Sequence, residues 1–148
     1  MDVYAGGTGA LAQRLRARLG PALTSIGADH REVGSAQTSF ASVWSDGTGE
    51  VTRVETDEVE VLFDGYLHNH GKATLAEHLP ELARRITTQR RVLDGDESGI
   101  FNVVVREKRT GHLHLANDPG GLLPLLHTRN AHGFAFDPRD VHQLPLSS

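Results

Sequence analysis

Two histidine pairs, His68-Asn69-His70 and His112-Leu113-His114, carry the clearest potential for chemistry in this sequence. Residues two apart on a strand project from one face, so each pair presents two imidazoles side by side. Brought together, the two pairs would supply the donors of a zinc site. The chain has nine histidines, enough to produce such spacings by chance, so only convergence of both pairs would make a metal centre. The chain is expected to need no metal and no cofactor. Nucleophiles are scarce. The absence of cysteine removes disulfides, thiolate metal sites and a thiol nucleophile together. Ser25, Ser35, Thr38 and Ser39 have no GxSxG-type turn around them. The stretch GGTG (6–9) lacks the Lys-Ser/Thr that completes a phosphate loop, and it reads as a loop entering the first helix.

The elements that must position these groups follow from periodicity. Leu11, Leu15 and Leu19 recur at helical spacing with arginines between them, predicting an amphipathic helix closed by Gly20-Pro21. SFASVWS (39–45) and EVTRVET (50–56) alternate as strands about Asp46-Gly47 and predict a hairpin. EVEVLFDG (58–65) is a third strand ending in a glycine turn. Leu75, Leu79, Leu82 and Ile86 mark the apolar stripe of a helix between Lys72 and Arg91. GIFNVVVRE (99–107), the turn KRTG and HLHLAND (112–118) form a second hairpin. LLPLLHT (122–128) and HGFAFD (132–137) add two short strands about Asn130. This order predicts an α+β domain with mainly antiparallel sheets, spanning 1–148 as a single domain.

Bulk properties narrow the partners. A formal charge of −4, with arginines dispersed apart from RLRAR (14–18) and RRITTQRR (84–91), argues against a nucleic-acid surface. Both arginine runs read as solvated helix faces. The 38% hydrophobic content includes no run long enough to span a bilayer, and the first residues lack the apolar segment of a secretory leader. A cytoplasmic protein, not bound to membranes, is expected. Oligomerisation stays open.

Four segments fall into one register. FDGYLHNH (63–70) resembles the FNGEIYNH segment of the class II glutamine amidotransferase domain of the asparagine synthetase family, through Phe63, Gly65, Asn69 and His70. GIFN (99–102) is similar to that family's GMFAF. NDPGGLLPLL (117–126) resembles RDRFGIKPLYY through Asp118, Gly121, Pro124 and Leu125, and HGFAFD stands where the family has YFASE. The resemblance covers residues 1 to about 142. It implies an N-terminal-nucleophile hydrolase fold, an αββα sandwich of two mainly antiparallel sheets between helical layers. No SGGxDS-like loop of the ATP-binding half is present.

The same register implies that glutaminase chemistry is lost. With Gly6 aligned to the last glycine of the family's MCGIxG start, Asp2 occupies the place of the cysteine nucleophile and Val3 that of a glycine. A carboxylate is a weak nucleophile, and its acyl product would be an anhydride. Asp2 also disfavours removal of Met1, so no α-amine is expected as a base. Asp64 replaces the asparagine that donates to the oxyanion, and an ionised carboxylate offers only acceptors. The arginine of the family's RLxIxD segment has no counterpart in SAQTSFASVWSDG.

A remnant pocket made by Asp2, Asp64, Gly65, Asn69 and Asp118 is therefore expected without a catalytic residue. Asp64 and Asn69 are expected to bond local backbone, and Asp118 to bond the backbone of its own turn. By resemblance to the inactive N-terminal halves of β-lactam synthetases and lasso-peptide cyclases, the expected partner is an ATP-dependent amide-forming ligase domain or subunit. Tyr66, Leu67, Leu122 and Leu123 are the candidate contact residues. A divergent hydrolase using Asp2, Asp64 or a histidine-bound metal, and a module that binds a small ligand without turning it over, remain as alternatives.

Overall fold

The structure, a computed structural model, describes residues 3–8, 13, 14, 17, 21, 29–34, 39–45, 51–118, 126–130 and 133–137. The chain divides into two compact units, Met1–Gly49 with Pro124–Ser148, and Glu50–Leu123. Every described strand pairing is antiparallel, so the protein is α+β with two antiparallel sheets.

The first unit holds a five-stranded sheet in the order β2-β3-β1-β9-β8. Its strands are β1 (Val3–Thr8), β2 (Asp29–Gly34), β3 (Ser39–Ser45), β8 (Leu126–Asn130) and β9 (Gly133–Asp137). β1 is central: Gly6 sits opposite Ala41 of β3 on one side and Phe136 of β9 on the other. Two expectations change here. GGTG does not begin as a helix-entry loop, because Gly6, Gly7 and Thr8 lie in a strand paired on both sides, where the backbone groups a phosphate would need are engaged in the ladder. SFASVWS pairs with β1 and β2 rather than with the strand that follows it, so the hairpin about Asp46-Gly47 does not form. Val33, Phe40 and Ala41 are buried, and the buried Ser42 donates to Glu32 Oε2 across the β2–β3 pair at 2.9 Å. Of the predicted first helix, Gln13, Arg14 and Ala17 are helical and exposed, while Leu11, Leu15 and Leu19 lie outside the described residues. Pro21, placed at its closure, is itself helical.

The second unit is a four-stranded meander in sequence order, β4-β5-β6-β7, with one helix. β4 (Val51–Glu55), β5 (Val59–His68), β6 (Ser98–Glu107) and β7 (Leu113–Asn117) place Val61, Phe63, Leu67, Phe101, Val103 and Val105 on one face. Helix α1 (Leu75–Arg84) covers that face with Leu79, Leu82 and Ala83, followed by Ile86. The rings of Phe63 and Phe101 stack at 5.1 Å between centroids. On the other face Leu62, Asn102 and Val104 are also buried.

Thr74 caps α1 by accepting from the Glu77 N–H, and Glu77 suits the positive end of the helix. Pro80 sits inside the helix, exposed, where its missing N–H leaves one helical bond unmade. The helix ends in a wider π-helical turn, Arg85–Gln89. Thr87 Oγ donates to Ala83 O at 3.0 Å and Thr88 Oγ to Arg84 O at 2.6 Å, back-bonding of the kind that opens a helical turn. Arg90, with φ 52°, then turns the chain away.

β5 runs three residues beyond the expected glycine turn, through Gly65 to His68. Gly65 has φ +124°, and a Cβ there would stand 2.1 Å from Ile100 O. The glycine that looks like a turn is instead the point where two strands approach too closely for a side chain. Gly99 does the same from the opposite strand, its Cβ position 2.1 Å from Tyr66 O. No helix among the described residues is long and apolar enough to cross a membrane.

Candidate functional site

Three of the segments singled out in the sequence meet in the second unit. Asp64 of β5 lies opposite Asn102 of β6, which lies opposite Asn117 of β7, a polar row across three strands. Gly65 lies opposite Phe101. Asp118, buried at the end of β7, accepts from the Phe101 N–H through Oδ1 at 3.1 Å, while its own N–H donates to Phe101 O at 3.1 Å. The structural role expected of Asp118 holds, but its described partner is the neighbouring strand rather than its own turn. In the first unit, the N-terminal strand and HGFAFD meet at Gly6 and Phe136.

The remaining expected residues divide. Asp2, Leu122 and Leu123 lie outside the described residues. Tyr66 is 44% exposed and contacts the exposed His68, with ring centroids 4.9 Å apart. Leu67 is a correction: it is buried in the core under α1, because odd-numbered positions of β5 face the helix. Asn69 adopts φ 63°, a left-handed conformation asparagine tolerates. Its Nδ2 donates to Asp96 O at 3.2 Å, so it ties two distant loops together instead of bonding local backbone.

The two histidine pairs do not converge. His68 stands opposite Ser98 at the start of β6, and His114 stands opposite Val105 near its end. Seven residues of strand separate them, about 23 Å at 3.3 Å per residue. His114 pairs instead with Glu107 at 2.9 Å.

The most organised polar cluster among the described residues lies beneath the end of α1. Arg85, 2% exposed, forks onto Glu97: Nη1 donates to Oε1 at 3.0 Å, and Nη2 to Oε2 at 2.8 Å. Nη1 also donates to Val92 O at 3.0 Å. Nη2 reaches Nε2 of the buried His78 at 2.9 Å. A guanidinium has no acceptor, so His78 Nε2 accepts, and the neutral ring carries its proton on Nδ1. Burial, with Arg85 and His70 close by, pushes the His78 pKa down, against the pull of Glu97. His70 stacks on His78 at 5.1 Å and 17°, and its Nδ1 accepts from the Lys72 N–H. Reading RRITTQRR as a solvated face is therefore wrong for Arg85. His78 and Arg85 stand at i and i+7, within the stripe of Leu75, Leu79, Leu82 and Ile86, and that spacing is the signal that could have found them.

Glu97 also borders an open groove of about 540 Å³ lined by Asn69, Gly71, Asp94, Gly95 and Asp96. Its rim is acidic, but its one well-buried carboxylate is already neutralised by Arg85. No group of three or more histidine and carboxylate side chains among the described residues is arranged to hold a metal ion. The chain matches no family model, no curated protein and no solved structure.

Proposed function

We propose that the protein is a class II glutamine amidotransferase-like domain, built as an αββα sandwich, that has lost its chemistry and serves as a scaffold for an ATP-dependent amide-forming ligase, of the kind that acts in peptide or natural-product biosynthesis. One observation carries the reading. FDGYLHNH, GIFN and the Asn117-Asp118 start of the third segment, which resemble three separate motifs of that family, come together around Phe101 through Gly65 and Asp118.

Loss of chemistry follows from residue types. Without cysteine anywhere in the chain there is no thiolate to attack an amide, and Asp64 presents acceptors where a developing oxyanion needs donors. Tyr66, the exposed large hydrophobic side chain of β5, is the described residue best placed to meet a ligase, with Leu122 and Leu123 as further contacts.

Incubating the purified chain with glutamine and measuring ammonia tests the first half. No release above a protein-free blank is expected, and glutamine-dependent release that survives Asp2→Ala would sink the assignment. Affinity purification from the native host tests the second half. Recovery of an ATP-dependent ligase, weakened by Tyr66→Ala, is expected; a chain that captures no ligase but binds a small molecule in saturable fashion would favour the ligand-binding module.

A further inference from the structure

We infer that His78, Arg85 and Glu97 form an acid-sensitive latch on the 92–97 loop, and that proton uptake by His78 loosens the groove which that loop borders. The inference stands on the geometry of the cluster and is independent of the family reading.

One guanidinium holds the loop at both ends, through Val92 O and through the carboxylate of Glu97. Asn69, also in the lining of the groove, holds it at Asp96 O. His78 orients that guanidinium by accepting from Nη2. The atom that accepts is also the atom that takes a proton, since Nδ1 already carries one. A proton on Nε2 would convert a hydrogen bond into two donors facing each other across 2.9 Å, both cationic and both buried.

The new N–H has one acceptor within reach, Glu97 Oε1 at 3.6 Å, which already accepts from Nη1 and Nη2 of Arg85. His78 and Arg85 would then compete for a single carboxylate. The other groups facing His78 do not resolve this. His70, stacked on it from the loop after β5, further disfavours the charged form of His78, and Glu81 lies on the exposed side of the same helix with its carboxylate engaged by Arg84. Displacing Arg85 frees Val92 O and Glu97 together, so the loop lining the groove loses both Arg85 anchors and keeps the Asn69 contact at Asp96 O, while the sheet beneath keeps its own bonds.

The test uses the intact chain. Imidazole resonances and amide protection factors are followed by NMR between pH 7.5 and 5.0, in the wild type, in His78→Gln, which keeps an acceptor for Arg85 but cannot be protonated, and in His70→Gln. Amide protection within 92–97 in the wild type should be lost as the pH is lowered, most clearly at Glu97, whose N–H donates to Asp94 O. The midpoint of this loss should coincide with the His78 titration, and amides of β5 and β6 should stay protected. His70→Gln should keep the response and His78→Gln should lose it. An equal fall in His78→Gln, a midpoint that follows His70, or a His78 titration that leaves 92–97 unchanged would overturn the latch. If His78→Gln fails to fold, coincidence or non-coincidence of the two wild-type midpoints decides.

Discussion

The second unit contains two ion-pair clusters of opposite character. At one end of the meander, Arg53, Glu55, Glu60, Arg106 and Lys108 link β4, β5 and β6 through contacts such as Lys108 Nζ to Glu55 Oε2 at 2.6 Å and Arg106 Nη1 to Glu60 Oε2 at 3.1 Å. Beneath the helix end, Arg85 and Glu97 pair out of solvent. The first cluster has more members and the shortest single contact, but around Arg53, Glu55 and Lys108 water screens it and removal of one partner leaves the other solvated; only Glu60 and Arg106 are largely buried. The buried pair has fewer members and far more at stake, because desolvation has already been imposed on both charges. Adjacent residues of one helix make the contrast sharpest: Arg84 reaches Glu81 on the surface, and Arg85 turns inward. Contact number and distance are poor guides to consequence; what matters is what remains when a partner is gone.

Removing Arg85 should break the comparison open. Arg85→Ala leaves Glu97 buried and unpaired and should cost about 3–5 kcal/mol in urea unfolding. A loss no larger than that of a surface arginine would show that the site is solvated. The double change Arg85→Met with Glu97→Leu should recover much of that loss, since the packed cavity is kept and no charge is stranded. Leu79→Ala, in the same helix face but without charge, should cost roughly 2–4 kcal/mol. An unchanged melting temperature would mean that α1 does not lie on the sheet.

Smaller effects come from pH, where the sign separates the clusters. Burial holds the pKa of His78 below its ordinary value, so the folded state favours the neutral ring. Its contribution is present above the unfolded histidine value of about 6.5 and is lost as pH falls through the folded value. Glu55, held below the usual carboxylate range by Lys108 and Arg53, contributes above about 4.3 and loses that contribution only in stronger acid. The urea midpoint should therefore decline between pH 7 and 5 in the wild type, and His78→Gln should flatten the decline. A decline identical in both would assign it elsewhere. The smallest effects belong to Arg84→Ala and Lys108→Ala, for which no resolvable change in the urea midpoint is expected; a clear drop would mean that the exposed cluster acts cooperatively.

The second unit was largely legible in the sequence. Its strands alternate, its helix carries a clean apolar stripe, and the β6–β7 hairpin has a polar turn, so local pattern and final pairing agree. The first sheet was harder. β1 is rich in glycine and β2 reads DHREVG, so neither announces itself, and the alternation of β3 suggests its nearest sequence neighbour as a partner because distant pairing leaves no local trace. Among site residues, Gly65 and Asp118 were recognised as special, yet their reasons lie in a strand some 17 to 36 residues away. Arg85 is not legible because an arginine run suggests water, and the inward direction of one member depends on a carboxylate twelve residues further on.

The order of the strands also sets a sequence of events during synthesis. β4 to β7 pair only with the next strand along the chain, so residues 50–118 can add their strands in order as they are made, with α1 formed between β5 and β6. The other sheet depends on β1 meeting β9, whose last residue is Asp137, and it stays incomplete until that strand has been translated. An early amino-terminal strand must therefore wait, with one edge unfilled, while the later unit folds. Such an interval is when an exposed strand edge is most open to a chaperone or to mispairing with another nascent chain.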